Sequence, residues 1–249
     1  MMEVRKTVTP SVDIRRAADR FHTRISWLDS WHSFSFSTHY DPANTHHGLL
    51  LVSNDDRVSA GTGFHTHPHQ NMEIVTWVLD GELEHKDSEG HKGIIYPGLA
   101  QRMSAGTGIW HSEMNPQKQK DVHFIQMWVV PDTTGLAPGY EQLDINDQLA
   151  KGGLVPIASG RGHDAAIRIH QKGAVLWGGR LKPGETVEVP DGLYSHIYVA
   201  RGAAQLEKAE PLHTGDAVRL TAAGARKLRA DDTIGTEVLV WQMDAPADR

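Results

Sequence analysis

GTGFHTHPHQNMEIVTWVLDG at residues 61–81, answered by GTGIWHSEMN at residues 106–115, decides how this chain is read. Side chains on an extended strand alternate between faces, so His67 and His69 share one side while Pro68 points to the other and keeps the backbone extended. His111 and Glu113 repeat that spacing. Laid side by side inside a barrel, the two segments aim three imidazoles and one carboxylate at a common point, which is the geometry of a metal site. Such a donor set suits Fe(II), Mn(II), Ni(II), Cu(II) or Zn(II), with Fe(II) the first expectation. A closed structural zinc site uses four tetrahedral ligands and often cysteine. An octahedral ion held by four protein groups keeps two positions open for water, oxygen or substrate.

The surroundings read as β-structure. Residues 74–79, 82–86, 93–96, 122–130, 185–189, 196–200 and 237–242 are strand candidates, with DSEG at 87–90 and YPGL at 96–99 as turns between them. Helical periodicity is confined to 12–20 and 141–150, too short to organise a bundle. A faint repeat runs through the chain. EIVTWVLDGELEH at 73–85 resembles SHIYVARGAAQLE at 195–207, setting Gly81 against Gly202, and HFIQMW at 123–128 matches EVLVWQ at 237–242. Two β domains are expected, at 1–135 and 157–249, with a Gly- and Pro-rich linker at 136–156. The repeat offset places Glu188 and Pro190 opposite His67 and His69, so the second domain should lack the ligand pair.

Composition narrows the function. The 249 residues, 39% hydrophobic and 22% charged, exceed one small domain and describe an ordinary globular chain. No apolar run approaches a membrane span and the start lacks a secretory signal, so a cytoplasmic protein is expected. There is no cysteine, which excludes disulfides, thiolate nucleophiles and iron–sulfur clusters. A net charge of −6 argues against direct nucleic-acid binding. Without a G-x-S-x-G elbow, a serine-hydrolase reading also falls away. Histidine is the anomaly: of 16, 12 lie between His22 and His123, so imidazole chemistry belongs to the first half.

The spacing of Gly61, His67, His69 and Glu73, then Pro97–Gly98 and His111, resembles the two cupin motifs. More narrowly, THPHQNMEIVTWVLDGELEHKDSEG, MSAGTGIWHSEMNP, WLDSWHSFSF and HFIQMWVVP resemble the pirin family, especially its bacterial quercetinase-like members, with dense coverage from Trp27 to Pro131. The resemblance implies an all-β bicupin, two antiparallel jelly-roll-like barrels face to face with a few short helices. It implies one metal in the N-terminal barrel on His67, His69, His111 and Glu113, whereas many other cupins use the glutamate at the position of Glu73. The implied activity is that of a metal-dependent dioxygenase cleaving flavonols such as quercetin with dioxygen, Glu113 serving as ligand and base. The alternative is an iron-dependent redox-sensing protein that binds a regulatory partner. A monomer is expected.

Other residues take plainer readings. His65 shares the face of His67 and suits a pocket rim. His123, alternating with Ile125, Met127 and Val129, reads as a satisfied core histidine. Trp27, Trp31, Phe34 and Phe36 read as core packing. The remaining histidines, His85 among them, read as solvated or hydrogen-bonded side chains.

Overall fold

A computed structural model describes residues 8–247. The first half of the chain builds a pair of antiparallel sheets and the second half most of a ten-stranded, mainly antiparallel sheet, and the largest sheets of the two halves face one another. In the first half, a seven-stranded sheet is centred on Glu73–Asp80, Val122–Val129 and Leu50–Val58. It is covered by a four-stranded sheet of Gly63–His69, Ile109–Met114, Leu83–Asp87 and Lys92–Ile95. The second half repeats the order around Tyr194–Leu206, Thr236–Met243 and Ala174–Leu181.

The alternation of side chains explains why the central strands are apolar on both faces. From Glu73–Asp80, the side chains of Val75, Trp77 and Leu79 enter a core shared by both lobes, while Val78 packs within the first lobe alone. In Val122–Val129, Ile125, Met127 and Val129 face the shared core and Phe124 faces inward. The second lobe matches this: Leu239, Trp241 and Met243 join the shared core, and Val238 and Val240 the lobe's own. Each such fully buried aliphatic side chain contributes roughly 1.5–3 kcal/mol relative to exposure, so the two lobes are welded rather than tethered.

Most polar groups caught in that weld are paired, as burial favours, although His196 Nε2 and Arg219 Nε have no hydrogen-bond partner. Trp77 Nε1 donates to Glu237 Oε1 at 2.9 Å, and the Tyr198 hydroxyl donates to Asp55 Oδ2 at 2.6 Å. The buried Arg219 donates to Ser33 O and Asn44 Oδ1, each at 2.8 Å. His123, expected as a satisfied core histidine, meets Asp55 Oδ1 at 2.6 Å. Burial alone would raise the Asp55 carboxyl, but the hydrogen bond and charge of His123, with Arg20 and Tyr198, outweigh it and hold the group at about 2.

All seven strand expectations coincide with strands, and the repeat is visible in the backbone: Gly81 and Gly202 sit at φ 79° and 78°, where both chains turn against a neighbouring strand. The two helical expectations need correction. Residues 12–20 form the strand Ser11–Arg15 and a 3-10 turn at Ala17–Asp19. Residues 141–150 divide into the strand Gly139–Asp144 and the short helix Asn146–Leu149. The cause is tertiary: Ser11–Arg15 pairs with Ala217–Thr221 in the second lobe's sheet, and Gly139–Asp144 pairs with Leu99–Ser104 in the first. Sheet pairing outweighs a weak local helical period. The stretch 136–156, expected as a Gly- and Pro-rich linker, therefore supplies an edge strand.

Candidate metal centre

The register of one strand pair assembles the site. Gly63–His69 runs antiparallel to Ile109–Met114 with His67 opposite His111 and Ile109 opposite His69. Beyond His67 a bulge intervenes, so that His65 and Thr66 together face Ser112, and pairing resumes at Phe64 and Glu113. Bulges re-aim side chains. This one removes His65 from the face of His67 and leaves it exposed, where its carbonyl accepts a hydrogen bond from His67 Nδ1 at 2.8 Å.

Among the described residues, the potential ligand atoms of His67, His69 and His111 all lie within 4.8 Å of one another. The Nε2 atoms of His67 and His111 are 3.1 Å apart. Donation from His67 Nδ1 leaves its Nε2 lone pair facing the cluster. His111 is oriented from behind by a buried chain: His85 Nε2 is 3.0 Å from Asp87 Oδ2, and His85 Nδ1 is 3.4 Å from His111 Nδ1. If His85 donates to the carboxylate, its Nδ1 is free to accept from His111, whose Nε2 lone pair then also faces the cluster. Burial pushes His69 down to about 4 and His111 to about 3, reinforced by repulsion from neighbouring imidazoles. These two rings are therefore neutral near pH 7, the state a metal ligand needs. The donor chemistry fits a divalent transition ion.

Glu113 lies outside this three-histidine group. Its carboxylate is buried and held by Gln126, whose Nε2 donates to Oε2 at 2.7 Å and Oε1 at 2.9 Å; Gln126 Oε1 in turn accepts from Trp128 Nε1 at 3.1 Å. Glu113 stands two residues beyond His111 on the same strand, and both side chains are buried. Glu73 is committed elsewhere: its carboxylate accepts from Ser104 Oγ at 2.8 Å and from the His170 backbone N–H at 3.2 Å, fastening a second-lobe loop to the first.

Sequence reasoning missed His85, Gln126 and Trp128, whose ring lies edge-on 4.9 Å from that of His69. The signals were present. His85 and Asp87 alternate with charged residues in ELEHKD, and Phe124, Gln126 and Trp128 form the face opposite His123, Ile125, Met127 and Val129. At the repeat-equivalent positions Glu188 and Pro190, the described residues of the second lobe hold no such ligand group.

A family model described as Pirin matches residues 13–129, and one described as the quercetinase C-terminal cupin domain matches residues 156–243. A Mycobacterium tuberculosis protein provisionally named a quercetin 2,3-dioxygenase is 57% identical, over 96% of this chain and 97% of that protein. The quercetin 2,3-dioxygenase of Escherichia coli K12 is 37% identical, over 92% of this chain and 97% of its own length. The crystal structure of the bacterial pirin YhhW from E. coli in complex with nickel(II) is 35% identical and superposes with a TM-score of 0.86, covering 95% of this chain and 100% of that one.

Proposed function

The chain belongs to the pirin family, and from that premise we propose that it is a metal-dependent dioxygenase cleaving flavonols such as quercetin. The observation that carries the reading is the convergence of three buried or half-buried imidazoles between two sheets of the first lobe, with the buried carboxylate of Glu113 two residues along the strand from His111. His67, His69 and His111 would hold the ion, with Glu113 as its fourth ligand and Fe(II) the first expectation. When bound, the ion supplies Lewis acidity and open positions at which dioxygen and a flavonol oxygen can be oriented.

The chain's own groups do the rest. Glu113 accepts the proton of the flavonol 3-hydroxyl, and Gln126 holds its carboxylate in place until the substrate arrives. Trp128, edge-on to the ring of His69 and donating to Gln126, holds both side chains in position. The division of labour follows the fold: the second lobe, without the ligand set, braces the first through the shared core.

The deciding experiment is elemental analysis of purified protein combined with oxygen uptake and carbon monoxide release on quercetin, before and after chelation. Metal-dependent uptake with carbon monoxide release is expected. A metal-loaded protein that consumes no oxygen with any flavonol, yet captures a protein partner only in one oxidation state, would instead select the regulatory reading. Glu113→Gln should retain much of the metal and lose turnover; unchanged turnover removes the base role.

A further inference from the structure

A cavity of about 200 Å³ lies in the first lobe next to the metal centre. Leu28, Phe36 and Phe64 make part of its lining apolar. The rest of the lining, beginning with Ser30 and His32 on the same strand face as Leu28, is polar and already organised. The Ser30 hydroxyl donates to Asp56, His32 Nδ1 is 3.0 Å from Asn54 Oδ1, and His32 Nε2 is 2.9 Å from the Thr23 hydroxyl. Ser30, His32, Asn54 and Asp56 are each at most 3% exposed.

Two contacts tie this cavity to the candidate chemistry. Gln126, which grips both oxygens of Glu113, lines it. Phe64 lines it too, and its ring centroid is 6.5 Å from that of His67. An occupant thus sits with one edge against the residue that positions the proposed base.

Size and chemistry select the occupant. Pockets that hold a whole drug-sized ligand run to roughly 300–1,000 Å³, so this one takes a part: a single ring. Phenylalanine and leucine walls suit the faces of an aromatic ring. The polar part of the lining carries oxygen acceptors and hydroxyls, which a ring hydroxyl can match as both donor and acceptor. A carboxylate on the ring would meet Asp56. Of the rings in a flavonol, the pendant one hangs on a single bond next to the reacting carbon and can enter alone, while the fused rings cannot separate.

The geometry points to this cavity as the receptor for the hydroxylated pendant ring of the substrate, with Asn54 and Asp56 as specificity-determining residues; the inference rests on the flavonol reading for the identity of that ring. Metal-loaded full-length protein is titrated calorimetrically with 4-methylphenol and with toluene, which differ by one hydroxyl and do not chelate. Wild type should bind the phenol at least about fivefold more tightly. Asn54→Leu should erase that preference. In turnover, Asn54→Leu should raise KM about tenfold more for quercetin than for galangin, the flavonol whose pendant ring carries no hydroxyl. Asp56→Asn, equal in size, supplies the same readouts should Asn54→Leu fail to fold. Equal binding of the two probes by wild type, or a preference untouched in the folded variant, overturns the assignment. If no flavonol is consumed, the dioxygenase reading falls while the phenol titration still decides whether the cavity recognises a ring hydroxyl.

Discussion

Replacing His85 by phenylalanine separates a metal-orienting histidine from a merely buried one. Phenylalanine keeps a ring of similar size and the stack on Tyr140, whose centroid is 4.8 Å away. It removes the acceptor for His111 Nδ1 and the donor to Asp87. Asp87 is not orphaned, because His91 Nδ1 and the backbone N–H groups of Glu89 and His91 remain at 3.0 Å. The metal-free protein should therefore lose about 2 kcal/mol, roughly 1 for each of the two hydrogen bonds removed. Loss of such an outer partner typically weakens metal binding about 10–100-fold. The 3.4 Å separation from His111 is long for a hydrogen bond, which argues for the lower end, about tenfold or 1.4 kcal/mol. The assay is competition of wild type and His85→Phe against a chromophoric chelator for nickel(II) at pH 7.5, with urea unfolding of both metal-free proteins. Metal affinity within twofold of wild type would refute the orienting role, whatever happens to stability.

Further outcomes follow from the same coordinates. His47, wedged between the lobes with its Nε2 near Ser195 O and Leu220 O, is pushed down to about 4 by burial and by Arg219. The unfolded chain takes up that proton near pH 6.5 and the folded one only near 4, so its contribution is complete above pH 6.5 and is lost as the pH falls towards 4. Urea melts at pH 7 and 4.5 should show His47→Gln losing about 2 kcal/mol less than wild type over that interval; parallel losses would contradict the assignment. A Cβ at Gly63 would come within 2.3 Å of Glu113 O and 2.6 Å of Met114 Cα, both backbone atoms. Gly63→Ala should cost about 3 kcal/mol or more and abolish metal binding by parting the two ligand strands, measurable by melting and metal analysis. Chelation of loaded protein should lower stability by about 2.7 kcal/mol from its value at a free-metal concentration 100 times Kd, and a melt indifferent to metal would argue against a specific site.

What could be read in the sequence was what depends on one strand at a time. The period of two put His67 with His69 and gave the lobe-facing row of Ile125, Met127 and Val129. The matched glycines at 81 and 202 announced the second lobe. What escaped depends on register. A bulge opposite Ser112 turns His65 outward, and no local pattern records it. Gln126 meets Glu113, and His85 meets His111, across strands brought together only by the sandwich. The helical look of residues 12–20 gave way to a pairing whose partner lies at the other end of the chain.

That last pairing sets an order of events during synthesis. Ser11–Arg15 leaves the ribosome about 200 residues ahead of Ala217–Thr221, an interval of about 10–40 s at roughly 5–20 residues per second. For that time Ser11–Arg15 has no mate, and when the later strand emerges it offers a raw edge that a strand from another nascent chain could occupy. A strand made early is thus held by one made far later, and cells that make this protein fast have reason to keep its ribosomes apart.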